Sequence, residues 1–198
     1  LYPTGGSCSV FRTFQGWLAM SEVTPGGGSI LFAPLVKEVT AYLILRPFFN
    51  GDDELDFTNP NFPGTTIGKA QEYNDSTHPD LKLEKLMTCP PKINPGDAVF
   101  WHCDLIHAVD PVHNGTTDSS VMYIPSVPLC ELNAKYAQIQ RESFLGGFAP
   151  PDFPGFPSSL GEREHKGRAD GFSVEEVGGR EALQEFCLEP FDVKEDYN

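Results

Sequence analysis

The chain has 198 residues, of which 39% are hydrophobic and 12% aromatic, a composition typical of one folded globular domain with a sizeable core. Its 28 acidic residues against 14 basic ones give a formal net charge of −14, which repels polyphosphates and excludes nucleic acid as the expected partner. No run approaches the roughly 20 apolar residues of a membrane span, and no basic start precedes an apolar core, so we predict neither a membrane segment nor a signal peptide. The five widely spaced cysteines, an odd count, favour a reduced cytoplasmic setting over a disulfide framework.

Short strands separated by Gly/Pro turns are predicted in the first half of the chain. Apolar and aromatic runs cover residues 10 to 20 and 30 to 33, and the β-branched and aromatic run 40 to 45 predicts another strand. Residues 50 to 80 lose periodicity and gain Asp, Asn, Pro and Gly, which indicates a long surface excursion. We therefore expect residues 1 to 130 to hold the core strands of a mainly β sandwich or barrel, with that excursion at about 50 to 80.

The second half of the chain is predicted to end in helices. Residues 98 to 104 and 121 to 125 are further strand candidates, and a helix is predicted across ELNAKYAQIQRESFLGG, residues 131 to 147, where Gly146-Gly147 supply a stop. The segment 149 to 159 is too rich in proline for a helix or a central strand, and a last helix is predicted at about 179 to 188. We expect residues 131 to 198 to form a helical and Pro-rich segment that packs on the barrel.

The stretch PGDAVFWHCDLIHAVDPVHNG, residues 95 to 115, concentrates histidine and aspartate. If residues 98 to 104 form a strand, His102 and Asp104 point to one face, a spacing by which a sheet can present two metal ligands. His107 lies about 16 Å from His102 in an unbroken strand, too far to share one ion. Either His102 and Asp104 bind a metal, or the chain turns at residues 104 to 106 and His107 begins a new strand.

A family resemblance bears on this choice. The run from Gly96-Asp97 through Phe100-Trp101 to His107, followed by Pro111 and Asn114, resembles the distal-histidine motif of Fe(II)/2-oxoglutarate-dependent dioxygenases of the phytanoyl-CoA type. Upstream, QGWLAMSEVTPGGGSILFAP is similar to the strand, turn and strand that precede this motif. Together with FRTFQGW, TAYLILRPFF, MYIPSVPLC and the PPDFP segment, these motifs resemble the YbiU-like domain-of-unknown-function branch.

The resemblance implies a double-stranded β-helix, a jelly-roll or cupin-like barrel with flanking C-terminal helices, and an oxygenase that acts on a small-molecule substrate. It implies Fe(II) as metal and 2-oxoglutarate as cosubstrate, with the iron held by a His-x-Asp pair and one distal histidine. His107 takes the distal role. The His-x-Asp pair should precede FRTFQGW but does not occur between Leu1 and Phe11. We expect it upstream of Leu1 and the chain to be an incomplete piece of a larger domain.

The cosubstrate anchor also departs from the family pattern. Many relatives place an arginine about ten residues past the distal histidine, whereas no basic residue follows His107 before Lys135. Arg12 is the candidate to bind one 2-oxoglutarate carboxylate, and Gln15 could donate to the other. In a regular strand these two residues face opposite sides, so both can serve the site only if a bulge intervenes.

Two other functions remain open at this point. The missing His-x-Asp pair and arginine also suit a metal-free cupin-like module that binds a small acid or a partner protein. A hydrolytic metal site would use His102 and Asp104 instead. The remaining histidines are predicted to be structural or solvated: His113 belongs to the turn at 111 to 115, and His78 and His165 lie in polar loops.

Overall fold

The computed structural model describes residues 9–49, 54–66, 71–153 and 161–190, and the chain divides into two compact units. One unit comprises Arg12–Ser126, and the other comprises Leu1–Phe11 with Val127–Asn198. The first unit contains five strands and two helices: β1 Phe14–Ala19, β2 Ile30–Phe32, α1 Val36–Leu45, α2 Leu83–Leu86, β3 Ala98–His102, β4 His107–Val109 and β5 Val121–Tyr123. The second unit contains the longer helices α3 Glu131–Gly146 and α4 Gly171–Glu185.

Two small antiparallel sheets face each other in the strand unit. One has the strand order β3-β1-β5, and the other pairs β2 with β4. Their facing sides share a first core made of Trp17, Ala19, Val23, Ile30, Ile93 and Trp101. The rings of Phe32 and Trp101 meet across the gap, with centroids 5.3 Å apart. Within the described residues the sheets and helices form a mixed α/β arrangement, and they do not close into a jelly-roll barrel.

Most of the predicted strands are confirmed. β2, β3 and β5 lie within the predicted ranges, and β1 occupies the second half of the range 10 to 20. After β3 the chain turns: the Leu105 N–H donates to the His102 carbonyl at 3.0 Å, and β4 begins at His107. The alternative in which His107 starts a new strand is therefore the correct one.

The strand predicted at residues 40 to 45 is wrong, because these residues lie in α1. Val39, Tyr42 and Leu43 fall at helical i, i+3 and i+4 spacing, and all three pack in a second core around Ala33. Helix α1 also contains Lys37, Glu38 and several other residues with high helix propensity. Burial of one face of the helix in the second core therefore outweighs the strand propensity of its β-branched and aromatic residues.

The predicted excursion at 50 to 80 ends in a packed segment. Residues 50–53 and 67–70 lie outside the described residues. Of the described ones, residues 54–66 and 71–78 form turns and extended chain, and a 3-10 turn follows at Pro79–Leu81. Leu81 belongs to the second core, and His78 is only 1% exposed. The prediction that His78 is solvated is therefore wrong, while His165 is exposed as expected.

A glycine C-cap, one side-chain N-cap and one buried amide organise the helical unit. α3 ends at the predicted glycines, where Gly147 is left-handed at φ 69° and the Phe148 N–H donates to the Ser143 carbonyl. Asn133, which is buried in α3, bonds the N–H and the carbonyl of Phe11. α4 begins at Gly171, where the Asp170 carboxylate caps it by accepting from the Ser173 N–H at 2.9 Å. A non-helical residue, Gly179 (φ 63°, ψ −153°), divides α4, so its second helical segment begins near the predicted position. None of the described helices is long and apolar enough to cross a bilayer.

Candidate metal-ligand site

His107 lies on the inner side of β4, facing the other sheet. It pairs with Phe32 of β2, and directly opposed residues of an antiparallel pair point to the same face. The imidazole centroid is 5.3 Å from that of the Trp101 ring, at an interplanar angle of 57°. His107 is itself exposed, so its ring has the indole on one side and open space beside it.

A backbone carbonyl determines which nitrogen of His107 carries the proton. Nδ1 lies 2.7 Å from the Leu105 carbonyl oxygen. Because a carbonyl can only accept a hydrogen bond, Nδ1 must donate, and the neutral ring therefore keeps the lone pair on Nε2. A histidine that binds a metal through one nitrogen usually donates its other N–H to a carbonyl or carboxylate in this way. No hydrogen bond of a described residue occupies Nε2 of His107.

Gln15 approaches the same indole from β1. It lies opposite Trp101 in the β1–β3 ladder, and its Oε1 accepts from the indole Nε1–H at 3.0 Å. The indole nitrogen can only donate, so the amide oxygen must face it and the NH₂ group must point elsewhere. The structure therefore brings Gln15 and His107 together at Trp101, and the Gln15 amide retains a donor for another molecule.

Arg12 is placed differently. It precedes β1, which starts at Phe14, so strand alternation does not extend to it. Its carbonyl accepts from the Cys103 thiol at 3.6 Å, while its guanidinium forms no hydrogen bond or ion pair with the described residues. The structure thus gives Gln15, but not Arg12, a contact with the aromatic residue beside His107.

His102 and Asp104 lie apart from this site. In β3, alternation puts His102 on the opposite face from Trp101, where its ring contacts Phe14 at 5.9 Å. The Asp104 N–H donates to Nδ1 of His102 at 3.2 Å, so the nitrogen nearest the Asp104 carboxylate, at 3.8 Å, is already occupied. Both side chains are exposed, and the pair resembles a local turn contact more than a metal chelate.

The donor set near His107 is incomplete among the residues that the structure describes. Across the described residues, no three His, Cys, Asp or Glu side chains come close enough to hold an ion together. A facial iron triad needs three protein donors. His107 has the chemistry of one of them, and the residues described here do not supply the other two.

Sequence reasoning missed a buried aromatic and polar cluster beside this turn. His78 lies between the rings of Tyr73 and Tyr42, at 5.1 and 6.0 Å. Burial lowers the pKa of His78 below its ordinary 6.5, and the positive charge of Arg46 lowers it further. Burial also raises the pKa of Tyr73, as does the negative charge of Asp104 in the turn before β4. Tyr73 is close to His78 in the sequence, but Tyr42 and Arg46 come from a distant stretch of the chain, so no local pattern signals the whole cluster.

The chain is similar to known proteins in both sequence and structure. The chain is 42% identical over 147 residues to YbiU of Escherichia coli (strain K12), an alignment that covers 74% of this chain and 33% of YbiU. Its structure is similar to that of GlcNAc Inducible Gene 2, GIG2 (DUF1479), from Candida albicans, with a TM-score of 0.80, 35% identity, and coverage of 96% of this chain and 43% of that one.

A protein from Salmonella typhimurium LT2, described as a "Putative Oxidoreductase", is also similar, with a TM-score of 0.73 and 36% identity over 92% of this chain and 41% of that one. The chain thus spans between a third and somewhat under half of the length of these relatives. The Gig2-like family model matches residues 1–185, and the chain therefore belongs to the Gig2-like family.

Proposed function

We propose that this chain supplies the distal histidine of an Fe(II) site in a 2-oxoglutarate-dependent oxygenase that oxidises a small molecule. The observation that carries the proposal is the orientation of His107: its ring lies between two facing sheets, with Nδ1 donating to a carbonyl and Nε2 bare. The relative described as an oxidoreductase supports redox chemistry in the family. The two facing sheets suit the double-stranded β-helix that such enzymes use, although that barrel is itself part of the proposal.

The residues of this chain have separate roles in the proposed site. His107 would hold the iron through Nε2, and the remaining protein donors would come from residues other than those described. Bound iron would supply the oxidation of an unactivated C–H bond, with dioxygen as the oxidant and the oxidative decarboxylation of 2-oxoglutarate supplying the other two electrons. Trp101 covers one side of the His107 ring and excludes water from it. The Gln15 amide would donate a hydrogen bond to a carboxylate, and Arg12 is the candidate for an ion pair with the other carboxylate of the cosubstrate.

The test uses the complete gene product that contains this sequence. It is loaded anaerobically with Fe(II) and 2-oxoglutarate, and the visible charge-transfer absorption of the chelated iron is recorded. We expect the band in the wild type and in His113→Ala, an exposed histidine further along the chain, and its loss in His107→Ala. A wild type without the band, or a His107→Ala variant that keeps it, would refute the proposal. Asp104→Ala should keep the band, whereas a hydrolytic site at His102 and Asp104 requires loss of metal binding in that variant.

A second candidate function is a metal-free binding module for a small acid. The incomplete donor set favours it, and so does the unused donor of Gln15. In that case the purified full-length protein contains no stoichiometric iron, and short carboxylic acids raise its melting temperature in a manner lost in Gln15→Leu. Stoichiometric iron in the purified protein would exclude this alternative.

A further inference from the structure

We infer that Ile106 is a positioning residue for His107: burial of its side chain holds the Leu105 carbonyl under Nδ1 of the imidazole and so keeps the proton off Nε2. The inference rests on the proposed function, because only a metal-binding role makes the state of Nε2 matter. It concerns this chain's own atoms, however, and it can be tested without any metal.

The peptide group between Leu105 and Ile106 is held from two sides. Leu105 packs against the first core, and Ile106, only 6% exposed, belongs to the second core with Ala33, Val39 and Leu81. On either side of this peptide group, the Leu105 N–H donates to the His102 carbonyl at 3.0 Å, and the Ile106 carbonyl accepts from the Ala33 N–H at 3.0 Å. Two cores and two backbone hydrogen bonds therefore fix the direction of the Leu105 carbonyl.

The strand that carries His107 offers little anchoring of its own. All three residues of β4 are exposed, and Val109 at its end is 68% exposed. Ile106 is the buried residue adjacent to His107, and its side chain is what ties the start of β4 to the second core. Without that anchor, Leu105 and the two backbone hydrogen bonds still restrain the peptide group, but its tie to the second core is lost, so we expect the Leu105 carbonyl to be held less firmly under Nδ1.

The expected effect is a change in tautomer. In the native arrangement the Leu105 carbonyl stabilises the ring that is protonated on Nδ1. The net free energy of one intramolecular hydrogen bond corresponds to about a 2- to 10-fold change in the ratio of two states, one with the bond and one without it. We therefore expect Ile106→Ala to lower the ratio of Nδ1–H to Nε2–H tautomer of His107 by about 2- to 10-fold.

The ratio is measured on the metal-free protein at a pH where His107 is neutral, from the ¹⁵N chemical shifts of its two ring nitrogens. The signals are assigned by their absence in His107→Gln. We expect a wild-type ring protonated mainly on Nδ1, a reduced ratio in Ile106→Ala, and a smaller reduction in Ile106→Val, which also provides a result if the alanine variant does not fold. A folded Ile106→Ala with the wild-type ratio, or a wild type protonated mainly on Nε2, would overturn the inference.

Leu183→Ala is the matched control. Leu183 is 9% exposed, but it lies in α4 of the other unit, outside both cores that hold the 105–107 stretch. It should lose stability and keep the wild-type ratio, and an equal shift in Leu183→Ala would overturn the specific role of Ile106. If the ratio responds to Ile106 as expected but the complete protein binds no iron, the positioning inference stands and the proposed function fails.

Discussion

Acidification should destabilise the strand unit through His78. Its side chain is almost fully buried between two tyrosine rings, and burial together with the charge of Arg46 lowers its pKa from 6.5 in the folded state. Well above pH 6.5 the residue is neutral in both the folded and the unfolded chain and contributes nothing to the pH dependence. Below pH 6.5 the unfolded chain takes up the proton first, so the free energy of unfolding decreases as the pH falls.

The size of this effect has a ceiling. At pH 5.5, one unit below the ordinary pKa of histidine, a ring that stays neutral in the folded state lowers the free energy of unfolding by at most about 1.4 kcal/mol. Stabilities of single domains are about 5–15 kcal/mol. One buried imidazole can therefore account for a measurable fraction of the total.

Urea denaturation at pH 7.5 and pH 5.5 tests this prediction. The two tryptophans of the chain, Trp17 and Trp101, both lie in the strand unit, so their fluorescence reports its unfolding. His78→Phe keeps an aromatic ring between the tyrosines but cannot titrate, and the contributions of the carboxylates cancel between the two proteins. We expect the wild type to lose about 1 kcal/mol more than His78→Phe, and the exposed-site control His165→Gln to behave like the wild type. Equal losses in the wild type and His78→Phe would refute the reasoning.

Three further changes test other contacts by urea or thermal denaturation. Asn133→Leu leaves two backbone carbonyls and one N–H without the amide that bonds them and should cost about 3 kcal/mol; a loss below that of an ordinary surface substitution would contradict this account. Gly16→Ala drives a new Cβ into the ring of Phe100 and should cost about 1–3 kcal/mol, and adding Phe100→Ala should recover part of that loss. Trp101→Phe removes the indole N–H that donates to Gln15 and should lower the free energy of unfolding by about 1 kcal/mol. Most of that loss should be recovered when Gln15→Leu removes the acceptor as well.

Local patterns predicted the parts of the fold that depend on local chemistry. α3 was predictable because its apolar spacing ends at Gly146-Gly147, where a left-handed glycine closes the helix. The turn before His107 was one of two alternatives, since a ten-residue strand was also possible. α1 was assigned to the wrong class because its sequence is apolar enough for either structure, and only the second core selects one face of a helix.

For the candidate site, the sequence indicates which residues to consider but not their environment. The motif around Gly96, Asp97 and His107 indicated which histidine to consider. The sequence contains no sign that the carbonyl two positions earlier would accept from its ring, or that Gln15 and His107 would meet at one indole. The burial of His78 was missed because it depends on Tyr42 of α1, which lies far from it in the chain, as well as on the nearby Tyr73.

The orientation of the Gln15 side chain has a consequence for what the protein can recognise. Since the Gln15 amide oxygen already accepts a hydrogen bond from the Trp101 indole, Gln15 presents a donor and no acceptor to a ligand at this position. Carboxylate, ketone and ether oxygens can accept a hydrogen bond from the Gln15 NH₂ group. An ammonium group, which can only donate, has no acceptor in this amide and loses part of its hydration there. At the proposed site, this contact would therefore favour ligands whose atoms accept hydrogen bonds over ligands that can only donate them.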